Sequence, residues 1–273
     1  MPRASALARP RRVLVTGAGS GLGAALTQAY AAAGDWVLAT DLAPAVEGGA
    51  VEGGAVEGGA AAYRRLDVRS EGDWAEAMAW VREEWGGLDL LVNNAGVAAG
   101  GRFERTPLSE WEWLLDINLL GVIRGCQAAV PVFVEQGSGC LVNIASLAGL
   151  CHAPAMAPYN VAKAGVVALS ETLRYELAPR GIQVSVACPY FFRSNLADSL
   201  PGSDAELAES AATTIRSARM PAAQVADRIV AGVDAGHDLI LTEATGRALY
   251  GAKRWARPAY RRLLHRLGRQ LPH

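Results

Sequence analysis

The stretch RVLVTGAGSGLG, residues 12–23, decides the fold of this chain. Its first five residues form a mostly apolar, strand-like run, and a glycine-rich turn follows. The next segment, AALTQAYAAAG, has helical composition and ends at Gly34. A strand, a glycine turn and a helix in this order bring backbone N–H groups close to a phosphate, whose charge is favoured at a helix N-terminus. The stretch therefore predicts a nucleotide-phosphate site at 17–23.

Strand-like and helix-like segments alternate along the rest of the chain. Strands that are nearly continuously apolar, separated by helices, are typical of a parallel sheet with helices on both faces. We therefore predict an α/β, single-domain, doubly wound sheet of Rossmann type over residues 1–245. The predicted strands are 12–16, 36–41, 61–68, 88–96, 140–146, 182–188 and 239–242, and the predicted later helices are 70–85, 106–136, 158–178 and 221–235.

Two segments lie outside this alternation. Residues 45–62 contain the pentad VEGGA three times, which predicts a flexible surface loop. Residues 246–273, here called the basic tail, hold eight cations and no acid, with apolar residues at helical spacing. An amphipathic basic helix of this kind packs on the domain or across an oligomer interface, which we favour, or makes peripheral contact with an anionic membrane.

The near-neutral total charge hides this asymmetry. The net charge is −1, yet residues 13–244 carry 14 basic residues against all 27 acids. An acidic body argues against a nucleic-acid partner.

A hydrophobic fraction of 51% excludes a disordered chain, and no transmembrane span is predicted. The four cysteines are scattered without metal-ligand spacing, so we expect reduced core residues, no metal site and a cytoplasmic protein.

Asp41 ends the second predicted strand. At this distance from the glycine turn, a carboxylate can accept hydrogen bonds from the hydroxyls of an adenosine ribose. The same charge repels a 2′-phosphate, and no basic residue occurs within 17–23. The cofactor prediction is therefore NAD rather than NADP.

Tyr159 and Lys163 are four residues apart on a predicted helix and project from one face. A free phenol has a pKa of about 10 and is a weak base at neutral pH. A nearby ammonium favours the phenolate, so we expect Lys163 to lower the pKa of Tyr159. Tyr159 can then exchange a proton with a substrate oxygen, and the hydroxyl of Ser146 can donate to that same oxygen. Lys163 is one of only two lysines beside 24 arginines.

Taken together, these motifs resemble the short-chain dehydrogenase/reductase family over about residues 13–242. Residues 16–23 are similar to its TGxxxGxG loop, 93–96 to its NNAG element and 159–163 to its YxxxK motif. Asn118 lies in DINLLG and Ser146 ends NIAS, at the family's positions for an active-site Asn and Ser. The resemblance implies the catalytic set Asn118, Ser146, Tyr159 and Lys163.

The resemblance also implies roles and contacts. Lys163 would bind the nicotinamide ribose, and Asn118 would position a water that relays protons from it. The chain departs from the family's Pro-Gly-Thr pattern, because Tyr190 replaces Gly and Ser194 stands for Thr. The implied cofactor-binding residues are Gly17, Ser20, Gly21, Leu22, Gly23, Asp41, Asp67, Val68, Asn94, Ala95, Gly96, Tyr159, Lys163, Pro189 and Ser194.

We therefore expect an oxidoreductase that transfers a hydride between NAD(H) and a secondary alcohol or ketone. By resemblance, it is a homo-oligomer, a dimer or a tetramer. The loops 97–103, 147–156 and 190–215 predict a mainly hydrophobic substrate, steroid- or aryl-like, with His152 and Arg193 as the few polar candidates. Two alternatives stay open: an NADP-dependent carbonyl reductase and a catalytically idle nucleotide-binding scaffold. A core role for the apolar residues of these loops is the equal alternative to a pocket role. These apolar residues are Leu147, Leu150, Met156, Tyr190, Phe191 and Phe192.

Overall fold

An eight-stranded parallel sheet forms the centre of the protein in a computed structural model that describes residues 9–43, 51–52, 61–193 and 202–271. The strands lie in the order β3-β4-β2-β1-β5-β6-β7-β8. Their bounds are β1 Arg12–Thr16, β2 Trp36–Asp41, β3 Val51–Glu52, β4 Ala61–Arg65, β5 Leu90–Asn93, β6 Gly139–Ile144, β7 Ile182–Ala187 and β8 Leu239–Ile240.

Helices cover both faces of this sheet. Leu14 of β1 belongs to one apolar core, whereas its neighbours Val13 and Val15 belong to a second core on the opposite face. The doubly wound fold is confirmed. The helices are α1 Gly21–Ala32, α2 Glu71–Trp85, α3 Leu108–Leu115, α4 Gly121–Gln136, α5 Ala148–Cys151, α6 Ala157–Leu177, α7 Ala205–Arg216, α8 Ala222–Asp234, α9 Ala244–Trp255 and α10 Arg257–Arg269.

The sheet order reverses between β1 and β5. β1 pairs with β2 on one side and with β5 on the other, and the chain then continues outward through β6 and β7. In open parallel sheets, ligands bind outside the carboxyl ends of the strands at such a switch point. The ends of β1, β5 and β6 therefore mark the place for a site.

Local signals in the sequence are confirmed at α2. Ser70 caps the helix, because its side chain accepts a hydrogen bond of 3.1 Å from the backbone N–H of Asp73. Gly86 ends the helix with φ of +70°, a left-handed conformation that glycine adopts without steric cost. All four cysteines are buried and free, as expected.

The predicted helix 106–136 is not continuous. α3 and α4 are separated by a π-helical segment, Asp116–Leu120, which widens the turn by one residue. The predicted strands 61–68 and 88–96 are also shorter, because β4 ends at Arg65 and β5 spans only Leu90–Asn93. Two helices, α5 and α7, lie in segments that the sequence analysis treated as loops.

The segment Leu108–Gln136 is the one helical stretch of the described chain that is apolar and long enough to cross a membrane. Its most apolar window has a mean hydropathy of 1.6. Length and composition are the whole of that criterion. Its residues Val122, Cys126, Ala129 and Phe133 are buried in the core against the sheet. One face of this stretch therefore packs in the interior of the fold.

The VEGGA segment and the basic tail differ from the predictions. Within 45–62, Val51–Glu52 forms the edge strand β3 and residues 61–62 belong to β4, while 45–50 and 53–60 lie outside the described residues. The tail contains two helices rather than one, with Ala256 between them in a non-helical conformation. Pro258 lies in the first turn of α10, where its missing N–H leaves no helical hydrogen bond unmade.

Candidate active site

The glycine-rich turn between β1 and α1 packs against the chain that leaves β5. Gly17 has φ of +66°, and a Cβ added to it would lie 2.7 Å from the Cα of Ala95. A Cβ on Gly23 would lie 1.9 Å from the carbonyl oxygen of Gly17. Such distances exclude any side chain, so these glycines allow a close turn that places backbone atoms at the surface of the site.

The N-terminus of α1 opens from this turn without an internal cap. Ser20 occupies the N-cap position, makes no side-chain capping hydrogen bond, and no acid lies in the first turn of the helix. The first N–H groups of α1 therefore keep their capacity for an anion, and the helix dipole favours one. This cradle fits the pyrophosphate of a dinucleotide, with Gly17, Ser20, Gly21, Leu22 and Gly23 as the residues that would hold it.

Thr16 ties the glycine turn to the end of β5. Its hydroxyl oxygen accepts hydrogen bonds of 3.0 Å from the backbone N–H groups of both Asn94 and Ala95. The Asn94 amide donates back to the carbonyl oxygens of Thr16 and Gly17, at 2.9 and 3.2 Å. The sequence analysis did not count Thr16 among the site residues, although it begins the glycine motif.

Asp41 lies at the end of β2 beside the same turn. Its carboxylate accepts a hydrogen bond of 2.9 Å from the backbone N–H of Gly19. Arg65 stands opposite Asp41 in the sheet, but its guanidinium pairs with Asp73 at 2.8 Å. The carboxylate of Asp41 therefore lies beside the glycine turn without an ion-pair partner among the described residues.

Asp67 and Val68 follow β4 on the same side. The Asp67 carboxylate forms an ion pair of 2.7 Å with Arg69, and this hydrogen-bonded guanidinium lowers the pKa of Asp67. The carbonyl oxygen of Val68 accepts from the indole N–H of Trp74 at 3.2 Å, while the Val68 side chain packs on Gly121. Both residues therefore form a fixed wall at this edge of the sheet.

Tyr159 lies in the first turn of α6 and is buried. Its hydroxyl is hydrogen-bonded to Ser146, just beyond the end of β6, and this contact favours the phenolate. Burial has the larger and opposite effect and raises the pKa of Tyr159 to about 12. The Ser146 hydroxyl also accepts a hydrogen bond of 3.2 Å from the backbone N–H of Ala148. Ser146 and Tyr159 thus place two hydroxyl groups side by side.

Lys163 lies one helical turn further along α6 and is also buried. Its ammonium donates a 2.9 Å hydrogen bond to the carbonyl oxygen of Ile144 and lies 5.8 Å from the ring centroid of Tyr159. Burial lowers the pKa of Lys163 to about 8. The pKa of Tyr159 is raised overall, because the effect of burial exceeds that of its hydrogen bond to Ser146. That Lys163 favours the phenolate stays a prediction.

Asn118 is fully buried within the π-helical segment. Its side-chain oxygen accepts from the backbone N–H of Val97, and its amide donates to the Val97 carbonyl, both at 2.8 Å. A Cβ on Gly96 would lie 2.9 Å from the Asn118 oxygen and 3.6 Å from the Lys163 ammonium. Asn118, Gly96 and Lys163 therefore meet at one point, and a π-helical turn is often found where a side chain must be presented to a site.

Comparison with known proteins identifies this arrangement. The sequence model described as short chain dehydrogenase matches residues 11–204. The chain belongs to the short-chain dehydrogenase/reductase family. It is therefore an oxidoreductase of the family's nucleotide-binding type, with relatives that are named as dehydrogenases.

Two relatives with assigned activities are similar to this chain. It is 36% identical over 183 residues to the 2-(R)-hydroxypropyl-CoM dehydrogenase of Xanthobacter autotrophicus, covering 66% of this chain and 73% of the relative. It is also 36% identical over 188 residues to the 3-alpha-(or 20-beta)-hydroxysteroid dehydrogenase of Mycobacterium bovis, covering 69% and 71% of the two chains.

Solved structures show the same fold with both cofactors. A short-chain dehydrogenase/reductase from Burkholderia phymatum in complex with NAD matches with a TM-score of 0.80 and 26% identity, covering 93% of this chain and 95% of the other. A short-chain dehydrogenase from Sphingobium yanoikuyae in complex with NADPH matches with a TM-score of 0.70 and 26% identity, covering 91% and 94%.

Tyr190, which replaces the family's Gly, is held by Glu243, a residue that the sequence analysis did not identify. The backbone N–H of Tyr190 donates to the Glu243 carboxylate at 2.9 Å, and Thr242 donates to the same oxygen at 2.7 Å. The Pro189 carbonyl accepts from the N–H of Leu147 at 2.8 Å, which joins this loop to Ser146. Ser194 lies outside the described residues.

The apolar residues predicted to line a pocket divide between the core and the site. Leu147 and Leu150 are buried in the main core, and Tyr190 packs against it. Phe191 packs on α7, and Phe192 packs on the second core. Met156 shares a cluster with Tyr159 and Leu114, with Val97 and Trp113 packed against it. Of the six candidates, Met156 is the one whose cluster includes Tyr159.

Proposed function

We propose that the protein is an NAD-dependent dehydrogenase that interconverts a hydrophobic secondary alcohol and its ketone. The observation that carries this proposal is the hydrogen-bonded pair Ser146 and Tyr159, with Lys163 behind it and the glycine cradle across the switch point. A nicotinamide cofactor held by that cradle supplies the chemistry of hydride transfer. The two hydroxyls supply the exchange of a proton with the substrate oxygen.

Tyr159 is proposed as the acid and base of the reaction. The phenolate accepts the hydroxyl proton of an alcohol, and the phenol returns a proton to the oxygen when a ketone is reduced. Ser146 donates a hydrogen bond to the same oxygen and holds it beside Tyr159. The ammonium of Lys163 lies where it can stabilise the phenolate. Asn118, which meets Lys163 beside Gly96, would position a water that relays protons from Lys163 to solvent.

Asp41 supports the choice of NAD. The carboxylate is held by Gly19 at the adenosine end of the cradle, and the neighbouring Arg65 is engaged by Asp73. A 2′-phosphate at this position would meet an uncompensated negative charge. Both cofactors occur among similar structures, so the preference rests on the residues of this chain.

Met156 supports an apolar substrate. The cluster around Tyr159 consists of apolar side chains from the segment after β5, from α3 and from α6, with Met156 on the loop that precedes Tyr159. An unbranched thioether adapts to flat or irregular apolar ligands. The relative named as a hydroxysteroid dehydrogenase adds support for a steroid-like alcohol as the first class to test.

Cofactor reduction across a panel of alcohols tests the function. We expect NADH formation from steroid- or aryl-type secondary alcohols, and at least tenfold lower kcat/KM with NADP. Turnover of sugar alcohols alone would contradict the substrate class, and preference for NADP would identify a carbonyl reductase instead. Tight cofactor binding without any turnover across the panel would favour an idle nucleotide-binding protein.

A further inference from the structure

The helices α9 and α10, here called the basic helix pair, contain eight cations and no acid. Eleven arginines between residues 9 and 216 form ion pairs with carboxylates. Within the part of the chain that the structure describes, none of the arginines after residue 246 forms one, and no acid follows Glu243 in the sequence. The cations of the pair are Arg247, Lys253, Arg254, Arg257, Arg261, Arg262, Arg266 and Arg269.

The pair is held to the fold by one apolar face. Tyr260 is buried, and Leu264 packs against the main core. Trp255 is 81% exposed, with the Arg254 guanidinium 5.3 Å from its ring centroid. Leu263 and Leu267 lie on the same helix face as Tyr260 and are 41% and 39% exposed. The helix pair thus offers arginines together with an exposed indole and exposed leucines.

We propose that the basic helix pair docks the protein on an anionic lipid bilayer. Arginines next to a bilayer gain from the negative potential of acidic headgroups, and tryptophan favours the headgroup region. The leucine side chains have a place among acyl chains and none on a phosphate backbone, which favours a bilayer over a nucleic acid. Residues 13–244, with 14 basic residues against 27 acids, are repelled by the same surface.

Cosedimentation of the full chain with vesicles tests the docking. We expect most of the protein to bind vesicles containing about one-third phosphatidylserine at low salt, and at least tenfold weaker binding to pure phosphatidylcholine. Raising the salt to about 0.5 M should release it, because exposed charges are then screened within a few ångströms.

Matched variants separate a local site from total charge. Replacing Arg261, Arg262 and Arg266 by Gln should weaken binding to anionic vesicles at least tenfold. The control replaces Arg82, Arg180 and Arg219 by Gln, which removes the same charge elsewhere, and should change binding less than twofold.

Three results would overturn the docking proposal. They are no binding of the full chain to either vesicle, equal losses in the two triple variants, and binding to duplex DNA in preference to vesicles. Absent vesicle binding combined with a change of oligomer in the tail variant would identify a second copy as the occupant.

The basic helix pair also contacts the turn that follows Ser146. The Tyr260 hydroxyl donates to the carbonyl of Cys151, and the Lys253 ammonium donates to the carbonyl of Leu150. The same ammonium lies 3.1 Å from Nδ1 of His152, whose φ of +47° is left-handed. These contacts hold the end of α5, and the first N–H of α5 donates to the Ser146 hydroxyl.

From these contacts we infer that Lys253 and Tyr260 are positioning residues for Ser146, an inference that rests on the proposed function. Lys253→Met combined with Tyr260→Phe should lower kcat at least fivefold with the KM for NAD unchanged, because their hydrogen bonds are made to the end of α5 and not to the glycine cradle. Amide hydrogen exchange in residues 147–152 should become faster, and that readout needs no substrate. Arg254→Gln, at the exposed neighbour of Lys253, is the control and should change neither.

The two readouts distinguish the possible failures. If the wild-type protein turns over no substrate, the proposed function fails, while hydrogen exchange still reports on α5. Faster exchange in an active protein whose kcat is unchanged would overturn the positioning role, and so would exchange at the wild-type rate.

Discussion

At the scale of single residues, the environment of Tyr159 decides how the site responds to pH. Burial raises the pKa of the phenol to about 12, and the hydrogen bond from Ser146 opposes that rise without cancelling it. The phenol is therefore the dominant form at neutral pH, which suits proton donation to a ketone. Oxidation of an alcohol instead requires the minor phenolate form.

We expect opposite pH dependences for the two directions. Below the pKa of Tyr159, each pH unit raises the phenolate fraction tenfold, so kcat/KM for alcohol oxidation should rise with pH with a slope close to +1. Ketone reduction should fall as pH approaches that pKa from below. Initial rates over a pH series measure both, and Tyr159→Phe should lower the rate by about 10²–10⁴-fold and leave no slope. A Tyr159→Phe variant with the wild-type profile would remove Tyr159 from the chemistry.

Asp41 controls the cofactor at the same scale. Asp41→Ser keeps a hydrogen-bonding group beside Gly19 but removes the charge that repels a 2′-phosphate. We expect the ratio of kcat/KM for NADP to that for NAD to increase about tenfold or more, which corresponds to about 1.4 kcal/mol. Asp73→Ser, which frees Arg65 nearby, is the companion variant. An unchanged ratio in Asp41→Ser would show that Asp41 does not select the cofactor.

At the scale of elements, the turn from β1 into α1 has no room for a side chain at Gly17 or at Gly23. A Cβ on Gly23 would overlap the carbonyl of Gly17, which is backbone and cannot rotate away. The turn can therefore keep its shape only with glycine, and its shape is what aims the first N–H groups of α1 outward.

We expect Gly23→Ala to weaken NAD binding more than tenfold and to lower the thermal midpoint by several degrees. Isothermal titration and thermal unfolding measure the two effects. Gly72→Ala is the matched control, because a Cβ there would meet only the Ser70 oxygen at 3.7 Å, near the start of α2. That variant should bind NAD normally and gain up to about 1 kcal/mol, since alanine favours helix over glycine. Normal NAD binding by Gly23→Ala would contradict the cradle.

At the scale of the whole molecule, a buried ion-pair network joins segments far apart in sequence. Arg11, just before β1, pairs with Asp35 after α1 at 2.8 Å and with Asp234 at the end of α8 at 2.7 Å. Arg11 is 3% exposed and Asp35 is fully buried. The Arg11 guanidinium therefore connects the ends of α1 and α8 to the start of β1.

We expect Asp35→Asn to destabilise the protein by about 3–5 kcal/mol, because it leaves a buried guanidinium without its principal partner. Urea unfolding measures the free energy of unfolding. Arg82→Gln breaks an exposed pair with Glu135 and should cost less than about 1 kcal/mol. Equal effects of the two changes would mean that the network at Arg11 contributes no more than a surface pair.

The sequence by itself determined the alternation of strands and helices, because the hydrophobic period of each segment reports which faces it buries. It also predicted the glycine cradle and Asp41 from the ends of two strands, and the set Ser146, Tyr159 and Lys163 from a strand end, a helical spacing of four and the family resemblance.

Only the tertiary structure decided the rest. The π-helical turn at Asn118, the support of Tyr190 by Glu243 and the contact of Lys253 with α5 join residues that have no local pattern in common. The upward shift of the Tyr159 pKa also depended on burial. A spacing of four residues on a helix does not report how deeply either residue is buried. Packing between distant segments sets desolvation and hydrogen-bond partners, so these properties exist only once the chain is folded.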